Sequence, residues 1–172
     1  ISFQQAVSQA GVDARRIQAL GVSGQQHGFV PLDEQGEVLH SVKLWCDTET
    51  ADENAALLAQ LGGVSGSLAQ LGLTVATGYT ASKILWFKQQ HPELWSRLRT
   101  VLLPHDYLNF WLTGERVAEY GDASGTGLLN VRTREWDRRT VSLIDDSGRL
   151  WEALPPLKSA ESCIGTLRPE RS

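Results

Sequence analysis

Residues 21–36, GVSGQQHGFVPLDEQG, start as the end of an apolar run and then break into Gln25, Gln26 and His27 between glycines. The run before them, IQALGV at 17–22, is short and bounded by Arg15 and Arg16 on one side and glycine on the other, the pattern of a buried strand. In open α/β sheets ligands sit beyond the carboxyl ends of strands, so side chains at this tip would face such a crevice. A polar turn whose glutamines bond only to backbone is the competing reading. Amide and imidazole groups both donate and accept, which suits a ligand rich in hydroxyls better than a phosphate.

Working outward, SFQQAVSQAG places Phe3, Ala6, Val7 and Ala10 on one helical face and stops at Gly11. Downstream, FVPL and EVLHSVKLW flank the turn formers of DEQG, which predicts a β-hairpin and a mixed sheet. DTETADENAALLAQLGG predicts a helix with Asp47 or Thr48 as N-cap, acids in its first turns and glycines after its last. Ile84, Leu85, Trp86 and Phe87 supply the apolar stripe of a further helix, and Pro92 opens a short one where its missing donor costs nothing. TVLLP reads as a strand, and DYLNFWLTG as a helix closing on Gly114. A strand around Leu128–Val131 and a helix around Asp137–Ile144 complete an alternating α/β order.

The chain has 172 residues, 41% of them hydrophobic, enough for one sizeable core and hence one domain. A net charge of −4 offers no field for a nucleic-acid backbone or an anionic membrane surface. Cys46 and Cys163 lack metal-like spacing, and no segment reads as a signal or a membrane span, so a reduced, cytoplasmic setting is expected. The sequence opens on Ile1 and contains no methionine, so the expectation is a piece of a longer protein.

Other candidates are weaker. Trp45 and Asp47 in LWCDTE offer an apolar stacking face and a hydroxyl acceptor two positions apart, with a core tryptophan and a helix-capping aspartate as the plain alternatives. Asp106 and Asp122 lie at element edges and read as cap or turn residues. The glycines of 121–127 lack both the Walker lysine and dinucleotide spacing. Histidines 27, 40, 91 and 105 show no ligand spacing, so no metal site is expected.

Five blocks, GVSGQQHGFVPLDEQGEVL, KLWCD, GYTASKILWFKQQHPELW, LLPHDYLNFWLTGE and DASGTGLLNVRTREW, occur in an order that resembles the amino-terminal half of the FGGY carbohydrate kinases, on the xylulokinase side. Thr80, Lys83, Trp86, Gln89 and Gln90 match that family's first pattern. The resemblance implies a ribonuclease-H-like, actin-like ATPase lobe with a mixed sheet flanked by helices, incomplete at its N-terminus. The whole chain, 1–172, would be one partial domain, with a second, ATP-binding lobe lying outside it. It implies a protein that transfers the γ-phosphoryl group of ATP, with Mg, to a small-molecule sugar such as D-xylulose, giving xylulose 5-phosphate. The family's sugar-contacting tip falls on Gln26 and His27, and its Trp-x-Asp block on Trp45 and Asp47, although the arginine often found two places later is Glu49 here.

The departures set limits. The family's glycine-rich Asp-x-Gly-Thr hairpin is absent from these residues, and its general-base aspartate is expected beyond residue 172; Asp122 belongs to a different block and does not take that role. The chain alone is therefore expected to be inactive. Without the first hairpin the 17–22 strand would have an open edge, to be covered by further parts of the protein or by a second copy in a homodimer. Ribulose, fuculose, gluconate or glycerol are alternative acceptors, and a non-catalytic sugar-binding module or a purely structural lobe are the readings from other classes.

Overall fold

The structure, a computed structural model, describes residues 3–169. Its organising feature is an antiparallel pair of short strands, β1 (Val30–Leu32) and β2 (Thr100–Leu102), in register Val30↔Leu102 and Leu32↔Thr100. Side chains alternate across a strand, so the pair has two apolar faces. Val30, Leu32 and Leu102 pack with Phe110 on one side, while Phe29 and Val101 join the main core on the other. Burial on both faces explains why VPL and TVL read as continuous apolar runs rather than alternating ones.

Helices cover each face. The main core is built on α2 (Ala51–Gln60), α4 (Thr80–Gln90), α8 (Arg138–Ile144) and α9 (Arg149–Ala153), through Leu57, Ile84, Phe87, Val141, Ile144 and Leu150. The opposite face carries α6 (Pro104–Thr113), which ends at Gly114 in the left-handed region, as its sequence predicts, but begins on Pro104, two residues before the expected DYLNFWLTG helix, at a residue read as the end of the TVLLP strand. Asp106 caps α6: its Oδ2 accepts the Leu103 N–H at 3.3 Å. The cap of α8 is Asp137, whose Oδ1 accepts the Thr140 N–H at 2.7 Å.

The remaining elements are short: α1 (Phe3–Ala10), α3 (Gly63–Leu71), α5 (Pro92–Trp95), β3 (Ala118–Glu119), α7 (Tyr120–Ala123), β4 (Leu129–Asn130), β5 (Glu135–Trp136) and β6 (Leu157–Lys158). β3 pairs with β6 in parallel, and β4 with β5 antiparallel. The strand pairing thus includes both parallel and antiparallel pairs, as the sequence predicts, but among the described residues it is divided among three two-stranded pieces. The 29–43 hairpin forms through isolated bridges, Leu32↔Val38 and Phe29↔Lys43, around a turn closed by the Gly36 N–H on the Asp33 carbonyl at 3.1 Å.

Two expectations are corrected. The segment 17–22 is irregular rather than a strand, with Leu20 exposed; among the described residues it has no ladder partner, and an unpaired extended run cannot hold strand geometry. Helix α2 starts two to three residues later than the sequence suggests, with Thr50 at its N-cap position and no side-chain cap. Asp47 instead closes a local turn, accepting the Glu49 N–H at 2.9 Å.

Candidate functional site

The strand tip is held from three directions. His27 sits at φ 65°, in the left-handed region that a non-glycine residue occupies at a cost on the order of 1 kcal/mol. Its ring stacks on Tyr79, with centroids 4.6 Å apart and planes 20° from parallel. Nδ1 lies 2.7 Å from the Gly125 carbonyl oxygen, and that oxygen can only accept, so Nδ1 carries the proton. In the neutral ring Nε2 then presents a lone pair. The His27 carbonyl in turn accepts from the Lys83 Nζ at 2.9 Å and the Thr80 hydroxyl at 3.3 Å.

Gly125 is glycine for a spatial reason. A Cβ there would come within 2.3 Å of His27 Cε1, so only a bare backbone admits the imidazole. The same holds at Gly78, at φ 94°, where a Cβ would meet the Trp45 carbonyl oxygen at 2.6 Å.

The second predicted pair lies across the hairpin. The isolated bridge Phe29↔Lys43 brings the segments that carry the two pairs side by side. Trp45 is 58% exposed, so it is not the core residue of the plain alternative reading. Asp47 is half-buried; its Oδ2 pairs with Lys43 Nζ at 3.3 Å. The amide N–H of Glu49 and the Lys43 ammonium hold its carboxyl below the usual carboxylate range, the amide bond being the larger effect. Glu49, standing where the related pattern often has arginine, also pairs with Lys43. Gln26 is exposed, and its carbonyl accepts from the Gly28 N–H at 2.9 Å. The structure thus links the His27 backbone to the Trp45 segment indirectly, through Lys83, which bonds the His27 and Gly78 carbonyls, and Gly78, which packs against the Trp45 carbonyl.

Two contributors to this site carry no signal of their own, Tyr79 beneath the ring and the Gly125 carbonyl behind it, and a third, Lys83 under the backbone, stands in the matched pattern without its role being readable there. Lys83 is fully buried, and burial lowers its pKa to about 8, with Asp47 acting in the opposite sense.

Beside the tip, folding also assembles a polar cluster that residue spacing conceals. His105 Nδ1 lies 3.1 Å from Asp106 Oδ1 and 3.6 Å from Asp122 Oδ2. Asp122 Oδ2 is buried without a hydrogen-bond partner, and burial, reinforced by Asp106, pushes this carboxyl up to about 6. The bond to Asp106 raises the pKa of His105. The two aspartates divide their roles: Asp106 caps α6, whereas Asp122 sits in the first turn of α7 with one oxygen bare.

The glycine stretch 121–127 makes no cradle for nucleotide phosphates. The Gly121 and Asp122 N–H groups donate to the Glu119 carboxylate at 2.8 and 3.0 Å, and the Gly125 carbonyl is turned to His27. The described residues of this stretch therefore do not fit ATP.

The profile of the FGGY family of carbohydrate kinases, N-terminal domain, matches residues 2–172. The chain belongs to that family. It is 45% identical over 170 residues to a xylulose kinase of Haemophilus influenzae, covering 99% of this chain and 34% of that protein. It is 36% identical over 163 residues to a xylulose kinase of Bacillus subtilis, covering 95% of this chain and 32% of the other. Among solved structures, a xylulose kinase of Brucella ovis superposes with a TM-score of 0.88 at 32% identity, over 98% of this chain and 34% of its own. The chain thus spans about a third of the length of these relatives. The actin-like ATPase fold expected from the resemblance is the fold this FGGY domain has.

Proposed function

We propose that this chain is the sugar-binding lobe of an ATP-dependent carbohydrate kinase that phosphorylates D-xylulose to xylulose 5-phosphate. The observation that carries the reading is the 2.7 Å approach of His27 Nδ1 to the Gly125 carbonyl oxygen. With Nδ1 donating to Gly125, Nε2 is a preset acceptor for a sugar hydroxyl at the open end of the hairpin. Exposed Gln26 supplies a second donor and acceptor, Trp45 an apolar face for the carbon side of the sugar, and Asp47 an acceptor beyond it. That the related proteins are named xylulose kinases supports D-xylulose over other ketoses and polyols.

ATP and Mg²⁺ are assigned to parts of the whole protein outside residues 1–172, because the glycine stretch here is occupied by its own hydrogen bonds. ATP, when bound, supplies the phosphoryl group. The residues of this chain bind and orient the acceptor hydroxyl, and the base that takes its proton also lies outside it.

An ADP-release assay on the full-length protein with D-xylulose, other ketoses and glycerol tests the reading. D-xylulose is expected to be the preferred acceptor, His27→Ala to lose about 100-fold or more in kcat/KM, roughly 3 kcal/mol of transition-state stabilisation, and residues 1–172 alone to be silent. A full-length protein that phosphorylates none of the panel overturns the assignment. A His27→Ala protein that matches the wild type removes the tip from it.

A further inference from the structure

Lys83 is among the largest fully buried side chains of the described residues, and its ammonium forms no ion pair there, Asp47 acting on it only at longer range. Such burial is costly unless the charge is taken up by well-placed acceptors. The acceptors are two backbone carbonyls from separate segments. One is that of His27, at 2.9 Å, and the other that of Gly78. A core position in this helix would be satisfied by an apolar residue: the neighbours Ala81, Ile84 and Phe87 are buried and need no such partners.

Those two carbonyls belong to the two walls of the candidate site. His27 is the tip, held in a left-handed conformation that local sterics disfavour. Gly78 packs its bare Cα against the Trp45 carbonyl, so its position sets where the Trp45–Asp47 loop can lie. Thr80, from the first turn of the same helix, adds a second donor to the His27 carbonyl. Helix α4 therefore reaches both walls at once, and a rigid helix is a better ruler than a loop.

We infer that Lys83 is a positioning residue of the sugar site, fixing the His27 tip and the Trp45–Asp47 loop at one separation through the carbonyls of His27 and Gly78. It does not touch the sugar; it acts through the backbone of residues that do. The inference rests on the sugar-kinase reading above for the identity of the ligand, but its geometric part concerns the tip alone.

The test uses full-length protein with Lys83→Met, which keeps the length and removes the donors, and Lys83→Gln, which keeps an N–H without the charge. Both are compared with wild type at a temperature where circular dichroism shows each folded. Calorimetric titration with D-xylulose is expected to show affinity at least about 10-fold weaker in Lys83→Met, with an intermediate loss in Lys83→Gln, while KM for ATP stays within about 2-fold. A general loss of folded protein would lower the active fraction and leave both KM values alone. Ring ¹⁵N spectra of His27 provide the second readout: Nδ1-protonated in wild type, and mixed or exchanging in Lys83→Met. Unchanged affinity and an unchanged His27 tautomer in either folded variant overturn the inference. If wild type binds no sugar in the panel yet the His27 signature shifts in Lys83→Met, the sugar reading fails while the positioning role stands.

Discussion

Two buried charges lie close to the strand tip, and they are handled in opposite ways. Lys83, fully buried, gives its hydrogens to two carbonyls. Asp122, also buried, keeps one oxygen without a hydrogen bond, the His105 ring standing 3.6 Å away. Burial moves both toward neutrality, the lysine down to about 8 and the aspartic acid up to about 6. The difference is what surrounds them: the lysine is tied into a set of mutually supporting bonds, whereas the aspartate shares one imidazole with Asp106. A satisfied buried polar group specifies a geometry; an unsatisfied one stores a cost that pH can release.

The largest expected effect breaks the satisfied side. Gly125→Ala places a methyl within 2.3 Å of the His27 ring, which must leave the Gly125 carbonyl and the Tyr79 stack together. We expect a loss of about 2 kcal/mol in urea unfolding, as for other overpacked sites, together with loss of measurable sugar binding. A Gly125→Ala protein of wild-type stability would show that the ring is held less firmly than its contacts suggest.

The next effect erases the unsatisfied side. The Asp122 pKa is raised in the folded state, so the folded protein binds the proton more tightly between pH 3.8 and about 6. Stability therefore falls as pH rises through that window, and the loss is complete above it. The raised pKa of His105 acts in the same direction from its ordinary value upward. Asp122→Asn removes the carboxyl, so at pH 7.5 it is expected to be more stable than wild type by on the order of 1–2 kcal/mol, and nearly equal at pH 4. Thermal unfolding across pH measures this; parallel curves for the two proteins would mean that Asp122 is not the source.

The smallest effect sharpens the contrast from outside. Trp45 is largely exposed, so Trp45→Ala should change stability by less than about 0.5 kcal/mol while weakening sugar binding severalfold. Equal loss of both would make Trp45 a packing residue.

How much of this was legible from the residues alone depended on whether the signal was local. Gly114 closes α6 and a helix covers 138–144, as read, because such signals act on their own turn, whereas Pro104 opens α6 although it reads as the end of the preceding strand. The 17–22 strand was misread because apolar composition cannot supply the ladder partner that a strand needs. Asp47 was expected as one of two possible caps, but an Asx turn to Glu49 serves its short side chain as well. The tip residues Gln26 and His27 stood out beside a predicted strand end. The bonds that support them did not, since Lys83, visible only as part of the family pattern, and Gly125 reach His27 across 56 and 98 positions of chain. The cluster of His105, Asp106 and Asp122 was hidden for the same reason: spacing rules for ligands assume one element, and this group joins two.

The register of β1 with β2 also governs the order in which the molecule can assemble. The 29–43 hairpin closes over a short span, whereas Val30 meets Leu102 only after α2 to α5 have been gathered between them. Chain entropy is lost before that pairing returns anything, so the ladder belongs to the late part of folding. The two walls of the site are near neighbours in the early hairpin, but the helix that sets their separation arrives with the late ladder. On the proposed reading, a ligand-ready tip thus belongs to the late part of folding, and sugar binding reports on whether the lobe has closed.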